Sequence, residues 1–154
     1  MTKPINDVVQ ADVDQFVKEH CDYEHSDNAL DDYQRLAVRS AIYPGKGTPF
    51  GLMYVALGLA EAGEVQNKVK KIFRDDGVIA FELSSSAAQA YVKFEPISDE
   101  RKKQIIKELG GLLWYAAATC AELGTTLSEV AAANLIELAD RAARGVLSGS
   151  GDNR

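Results

Sequence analysis

The sequence predicts an all-α fold, a helical bundle of about four to five helices. Two observations carry that expectation. Apolar residues recur at three- and four-residue spacing through most of the chain, and helix start and stop signals bracket those segments. The connections between them are short, as in bundles whose neighbouring helices pack against one another.

The elements follow in order. Ile5, Val8, Val9, Val13, Phe16 and Val17 place a first helix over 5–20, with Asn6 or Asp7 as its cap. CDYEHSDN is a polar loop. ALDDYQRLAVRSAI predicts a second helix over 29–42, with Leu30, Tyr33, Leu36 and Ala37 on one face. YPGKGTP, with two prolines and two glycines, is a loop. One long helix is expected from Phe50 to Arg74, ended by Asp75-Asp76-Gly77. The segment 78–96 reads either as a short hairpin or as a helical arm with irregular ends. Ser98 caps the next helix, whose first turn carries Asp99 and Glu100 at its positive end. That helix runs to about Glu122 and stops at Gly124. Thr126-Leu127-Ser128-Glu129 is a capping box for a last helix over about 127–146. The Gly- and Ser-rich end, 147–154, is read as a flexible tail. There is no repeat at a solenoid period, so 1–154 is taken as a single domain.

Composition narrows the function. Hydrophobic residues at 46% and charged residues at 26% are ordinary for a globular domain. A net charge of −6 speaks against a nucleic-acid partner, which wants a basic patch. It leaves room for anionic nucleotides where metal ions reverse the sign of an acidic pocket. No stretch approaches the ~18–20 apolar residues of a membrane span, and the N-terminal segment is too interrupted by charge for a signal peptide. Cys21 and Cys120 make no disulfide framework, so a reducing cytoplasm is the expected compartment. Cys120, in an apolar helical run, reads as a buried small hydrophobe.

The carboxylates carry the chemistry. Glu61-Ala62-Gly63-Glu64 puts two glutamates on one helix face. A lone E-x-x-E is usually a solvated acidic face. Here the pair sits in an apolar run, LGLAEAGEV, and the basic residues Lys68, Lys70 and Lys71 follow within two turns. A second helix offers Glu108 among Ile105, Ile106, Leu109 and Leu112. Carboxylates converging from two helices of a bundle are a known way to hold metal ions, and Mg²⁺ takes oxygen ligands. Other sites are not supported. There is no E-x-x-H for a di-iron centre, His20, Cys21 and His25 lack zinc spacing, and PGKGTP has the wrong spacing for a P-loop.

The blocks GLAEAGEVQNKVKK (58–71), KELGGLLWYAAATCAELG (107–124), ANLIELADRAARGVLSGSGDNR (133–154) and DDYQRLAVRSAIYP (31–44) resemble the MazG-like, all-α nucleoside triphosphate pyrophosphohydrolases. The tail SGSGDNR is similar to a phage-type branch of that family, and the N-terminal helix and loop, 1–28, lie outside the matched blocks. The resemblance implies two or more Mg²⁺ or Mn²⁺ ions, held by E-x-x-E on one helix and E-x-x-D on the next. It implies cleavage of the α–β phosphate bond of a nucleotide to monophosphate and pyrophosphate, and chains paired into dimers or a tetramer. Glu61 and Glu64 take the first pair, as metal ligands and as candidates for orienting the attacking water, and Glu108 opens the second. The fourth position is Gly111, where the family has Asp. Glu137 stands where the family often has Lys, and is a candidate to replace the missing acid. Lys71 and Lys68 are candidates for the β- and γ-phosphates, and Arg154 for closing over them. Asn134 falls at a nucleotide-binding position of the family. Gln34 either reads a base edge or faces solvent, and Trp114 and Tyr115 either border a base or belong to the core. Phage origin would favour a deoxynucleotide such as dGTP, in the host cytoplasm, although no residue names the base. The alternative reading is a non-catalytic nucleotide-binding bundle, and Gly111 is its main support.

Overall fold

The computed structural model describes Gln15 and residues 26–76, 79–83, 90–94 and 96–145. The predicted first helix lies outside these, Gln15 excepted, and so do the tail and Arg154. The fold is all-α, with one small hairpin. Helix α1 is Ala29–Ala37, continued by a 3₁₀ turn Val38–Ser40. Helix α2 is Pro49–Gly58, a second 3₁₀ turn is Leu59–Glu61, and α3 is Ala62–Asp75. Strands β1, Ile79–Leu83, and β2, Ala90–Phe94, pair antiparallel with Ile79 opposite Phe94 and Leu83 opposite Ala90. Helix α4 is Asp99–Leu123 and α5 is Leu127–Ala143. No helix among the described residues is long and apolar enough to cross a membrane.

Two compact units divide the chain: residues 1–24 with 59–113, and residues 25–58 with 114–154. In the second, Ala117, Cys120 and Leu127 form a buried cluster, with Tyr33, Ala37 and Ala116 packed on it. Cys120 is thus the buried hydrophobe expected, and burial pushes its thiol pKa up. The α4–α5 turn is built by local chemistry. Gly124 takes φ +70°, the left-handed conformation that ends a helix without a Cβ penalty. Thr126 and Glu129 then make the predicted capping box, which satisfies two orphan backbone donors. Asp31 of α1 adds a carboxylate at the same helix end, accepting from Ser128 N at 3.2 Å and Ser128 Oγ at 2.9 Å. Negative charge is favourable there. The predicted cap of α4 is also present: Arg101 N donates to Ser98 Oγ at 3.3 Å.

The long helix expected over 50–74 is interrupted. Its Leu59–Glu61 turn is 3₁₀ and begins directly after Gly58. A Cβ on Gly58 would stand 2.1 Å from a ring carbon of Tyr115, so the ring lies against bare backbone. Within 78–96 the described residues 79–83 and 90–94 pair as antiparallel strands, which fits the hairpin and not the helical arm.

Candidate functional site

The first unit holds the E-x-x-E pair and Glu108. Three contacts set α3 and its preceding turn antiparallel to α4. Glu61 lies level with Gly111, Lys68 with Glu108, and Asp76 with Arg101. The last is a two-pronged pair, Nε to Oδ2 at 2.8 Å and Nη2 to Oδ1 at 2.9 Å. The Arg101 hydrogen bond holds the Asp76 carboxyl below its ordinary value. Positions 61, 65, 68 and 72 repeat at helical spacing, so this face of the helix is the one turned to α4, and Ile72 on it is buried.

A Cβ on Gly111 would stand 3.6 Å from Glu61 Oε2. Position 111 therefore looks directly at the first glutamate, at van der Waals distance. Glu61 is half-buried and Glu64 exposed. Neither has an ion-pair or hydrogen-bond partner among the described residues. Glu64 borders a shallow groove with Gly63, Gln66, Asn67 and Lys70. An added Cβ on Gly63 would meet nothing within 4 Å among the described residues.

Glu108 is engaged. Its Oε1 lies 3.3 Å from Lys68 Nζ, and the two side chains are only 19% and 24% exposed. Lys68, a candidate for phosphate, thus neutralises a candidate metal ligand. Among the described residues no three His, Cys, Asp or Glu side chains are gathered closely enough for one ion. Glu61 and Glu64 remain as carboxylates, one helical turn apart, whose oxygens are uncommitted. That donor pair suits one hard divalent ion, with the remaining positions taken by water or phosphate oxygen.

The other candidates fall in the second unit or outside the description. Gln34 neither reads a base edge nor faces solvent. It is 8% exposed, donates to Thr125 O at 2.9 Å and accepts from Leu127 N at 2.6 Å. Both ends of its amide are spent on the α4–α5 turn, which the sequence position did not reveal. Glu137 does not replace the missing acid. Its side chain is 54% exposed and pairs with Arg141 one turn on. Asn134, on α5, is exposed. Lys71 is half-buried; Asp75, one turn on, is held below its ordinary value first by the Arg74 hydrogen bond, and the Lys71 charge adds least.

An aromatic group that the sequence only half revealed also lies in the second unit. Trp114 Nε1 donates to Ala37 O at 3.0 Å and to Ser40 Oγ at 2.9 Å, and meets Tyr115 edge-on with ring centroids 5.0 Å apart. Tyr43 stacks on Tyr54 at 5.6 Å. These rings line a cavity of about 230 Å³ with Ser40, Ile42 and Pro44. Glu122 fastens the loop that delivers Tyr43, accepting from its hydroxyl at 2.5 Å and from Gly47 N at 2.9 Å. Burial, then the Glu122 hydrogen bond, pushes the Tyr43 phenol up to about 12.

Fold and site together define a helical protein with an acidic seam between two antiparallel helices. The chain is 43% identical over 130 residues to the Gene 37 protein of Mycobacterium phage L5, an alignment that covers 81% of this chain and 98% of that one. It belongs to the family of that phage protein. No protein-family model matches the chain, and no solved structure does.

Proposed function

We propose that the chain is a metal-dependent nucleoside triphosphate pyrophosphohydrolase, converting a (d)NTP to (d)NMP and pyrophosphate. The observation that carries this reading is the apposition of Gly111 and Glu61. The positions that the MazG resemblance assigns to facing carboxylates do face each other, even though one has lost its acid. The relative is a phage protein, and for a phage chain the substrate we favour is a deoxynucleotide such as dGTP in the host cytoplasm.

In this reading Glu61 and Glu64 hold Mg²⁺ or Mn²⁺, which when bound polarises phosphoryl oxygen. Water attacks the α-phosphorus, the bond from that phosphorus to the α–β bridging oxygen breaks, and pyrophosphate leaves. Glu64, exposed and unpartnered among the described residues, accepts the proton of that water. Lys71 offers a point charge to the outer phosphates. Exposed Leu135, Ile136 and Leu138 on α5 suit the pairing of chains into a dimer or tetramer.

A second reading, a nucleotide-binding protein without turnover, is favoured by the pairing of Glu108 with Lys68. Product analysis with each (d)NTP and Mg²⁺ or Mn²⁺ separates the two. Monophosphate plus pyrophosphate, lost in Glu64→Gln, is the expected result. Nucleotide binding with no product from any (d)NTP would overturn the hydrolase reading.

A further inference from the structure

Lys68 is placed unlike its neighbour Lys70. Lys70 is exposed, whereas Lys68 is turned toward α4 and largely withdrawn from water against Glu108. Withdrawing an ammonium and a carboxylate from water is costly unless each answers the other, and removing one partner leaves the other uncompensated. A cation approaching Glu108 must therefore displace a tethered ammonium that is already in place. One turn further along α4, the carboxylate that would face Glu61 is absent. Of the three glutamates Glu61, Glu64 and Glu108, the one ammonium answers Glu108, and Glu61 and Glu64 are left without a cation among the described residues.

We propose that Lys68 is the resident counter-cation of Glu108, standing where a second metal ion would otherwise be held, so that each chain takes a single divalent ion at Glu61 and Glu64. This rests on the metal-dependent reading of the seam. The ammonium supplies positive charge and three hydrogen-bond donors without being recruited from solution, but it binds no water as a metal does. The two cations of the seam then have separate duties. One is exchangeable and sits by the E-x-x-E pair; the other is covalently part of α3.

Counting bound Mn²⁺ on the full-length chain, from the electron paramagnetic resonance signal of the free ion and without nucleotide, tests this independently of activity. The wild type is expected to bind one Mn²⁺ per chain, and Glu61→Gln to weaken that binding at least tenfold. The double variant Lys68→Met/Gly111→Asp, checked for helix content by circular dichroism, is expected to bind two. Lys68→Arg, which keeps the charge, is expected to stay at one. Two ions in the wild type, or one in a folded double variant, would overturn the counter-cation while leaving the metal-dependent reading standing. No Mn²⁺ in any form would overturn both.

Discussion

Gly111 faces Glu61 Oε2 with room for a side chain: the nearest atom to an added Cβ is 3.6 Å away, ordinary van der Waals contact. Its neighbour Gly110 has nothing within 4 Å of the same position among the described residues. Neither glycine is demanded by packing, and neither has positive φ. Each weakens α4 relative to alanine by roughly 0.5–1 kcal/mol. Gly110→Ala and Gly111→Ala are therefore expected each to stabilise the protein by about that amount in urea denaturation. Gly111→Asp is expected to behave differently. It brings a second carboxylate to Glu61, so added Mn²⁺ should raise its melting temperature by more than it raises that of the wild type. Equal shifts would mean that position 111 is remote from any bound ion.

Gly58 is the opposite case. Its backbone lies under the Tyr115 ring, and a Cβ there would overlap ring carbons at 2.1–2.6 Å. Gly58→Ala is expected to destabilise by about 1–3 kcal/mol, the range for overpacking. Combining it with Tyr115→Ala should recover part of that loss, because the double variant removes the clash. A Gly58→Ala protein as stable as wild type would show that the ring moves aside at no cost.

These glycines mark what the sequence can and cannot reveal. The stop at Gly124, the capping box at Thr126 and Glu129, and the Ser98 cap were legible because each is fixed by residues within a few positions of it. The 3₁₀ turn at Leu59–Glu61 was not, nor was the ring against bare Gly58, which comes from a residue 57 positions later in the chain. Gln34 was misjudged for the same reason: its partners, Thr125 and Leu127, lie more than ninety residues away. The carboxylate seam was half legible. Helical spacing placed Glu61 and Glu64 one turn apart. The same spacing put Lys68 on the Glu61 face, but its pairing with Glu108 depends on how α4 is aligned against α3.

Gln34 now reads as a clamp. Its carbonyl takes the Leu127 N–H and its amide satisfies the Thr125 carbonyl, both at the start of α5. Gln34→Ala leaves one buried and one partly buried backbone group without this partner, at roughly 1–3 kcal/mol. Urea denaturation should show that loss, while KM for the preferred nucleotide changes less than about twofold in the fraction that remains folded. A large rise in KM with unchanged stability would return Gln34 to the substrate.

The same turn should respond to acid. Glu129 is held below its ordinary value of 4.5, first by the Thr125 hydroxyl and then by the Thr126 N–H. Nearby Asp31 opposes this more weakly. A depressed folded pKa means that the unfolded chain binds this proton more readily than the folded one. The stabilisation from Glu129 is therefore complete above the unfolded value and is lost as pH falls through the folded value. Glu129→Gln keeps a side-chain oxygen to accept from Thr126 N but cannot titrate. Melting temperatures measured between about pH 7 and about pH 3 should accordingly fall less steeply below pH 4.5 in Glu129→Gln than in the wild type. Identical acid limbs in the two proteins would mean that the capping carboxylate titrates alike in the folded and unfolded states, and that the acid sensitivity of the fold comes from elsewhere, with Asp76 on Arg101 the next pair to substitute.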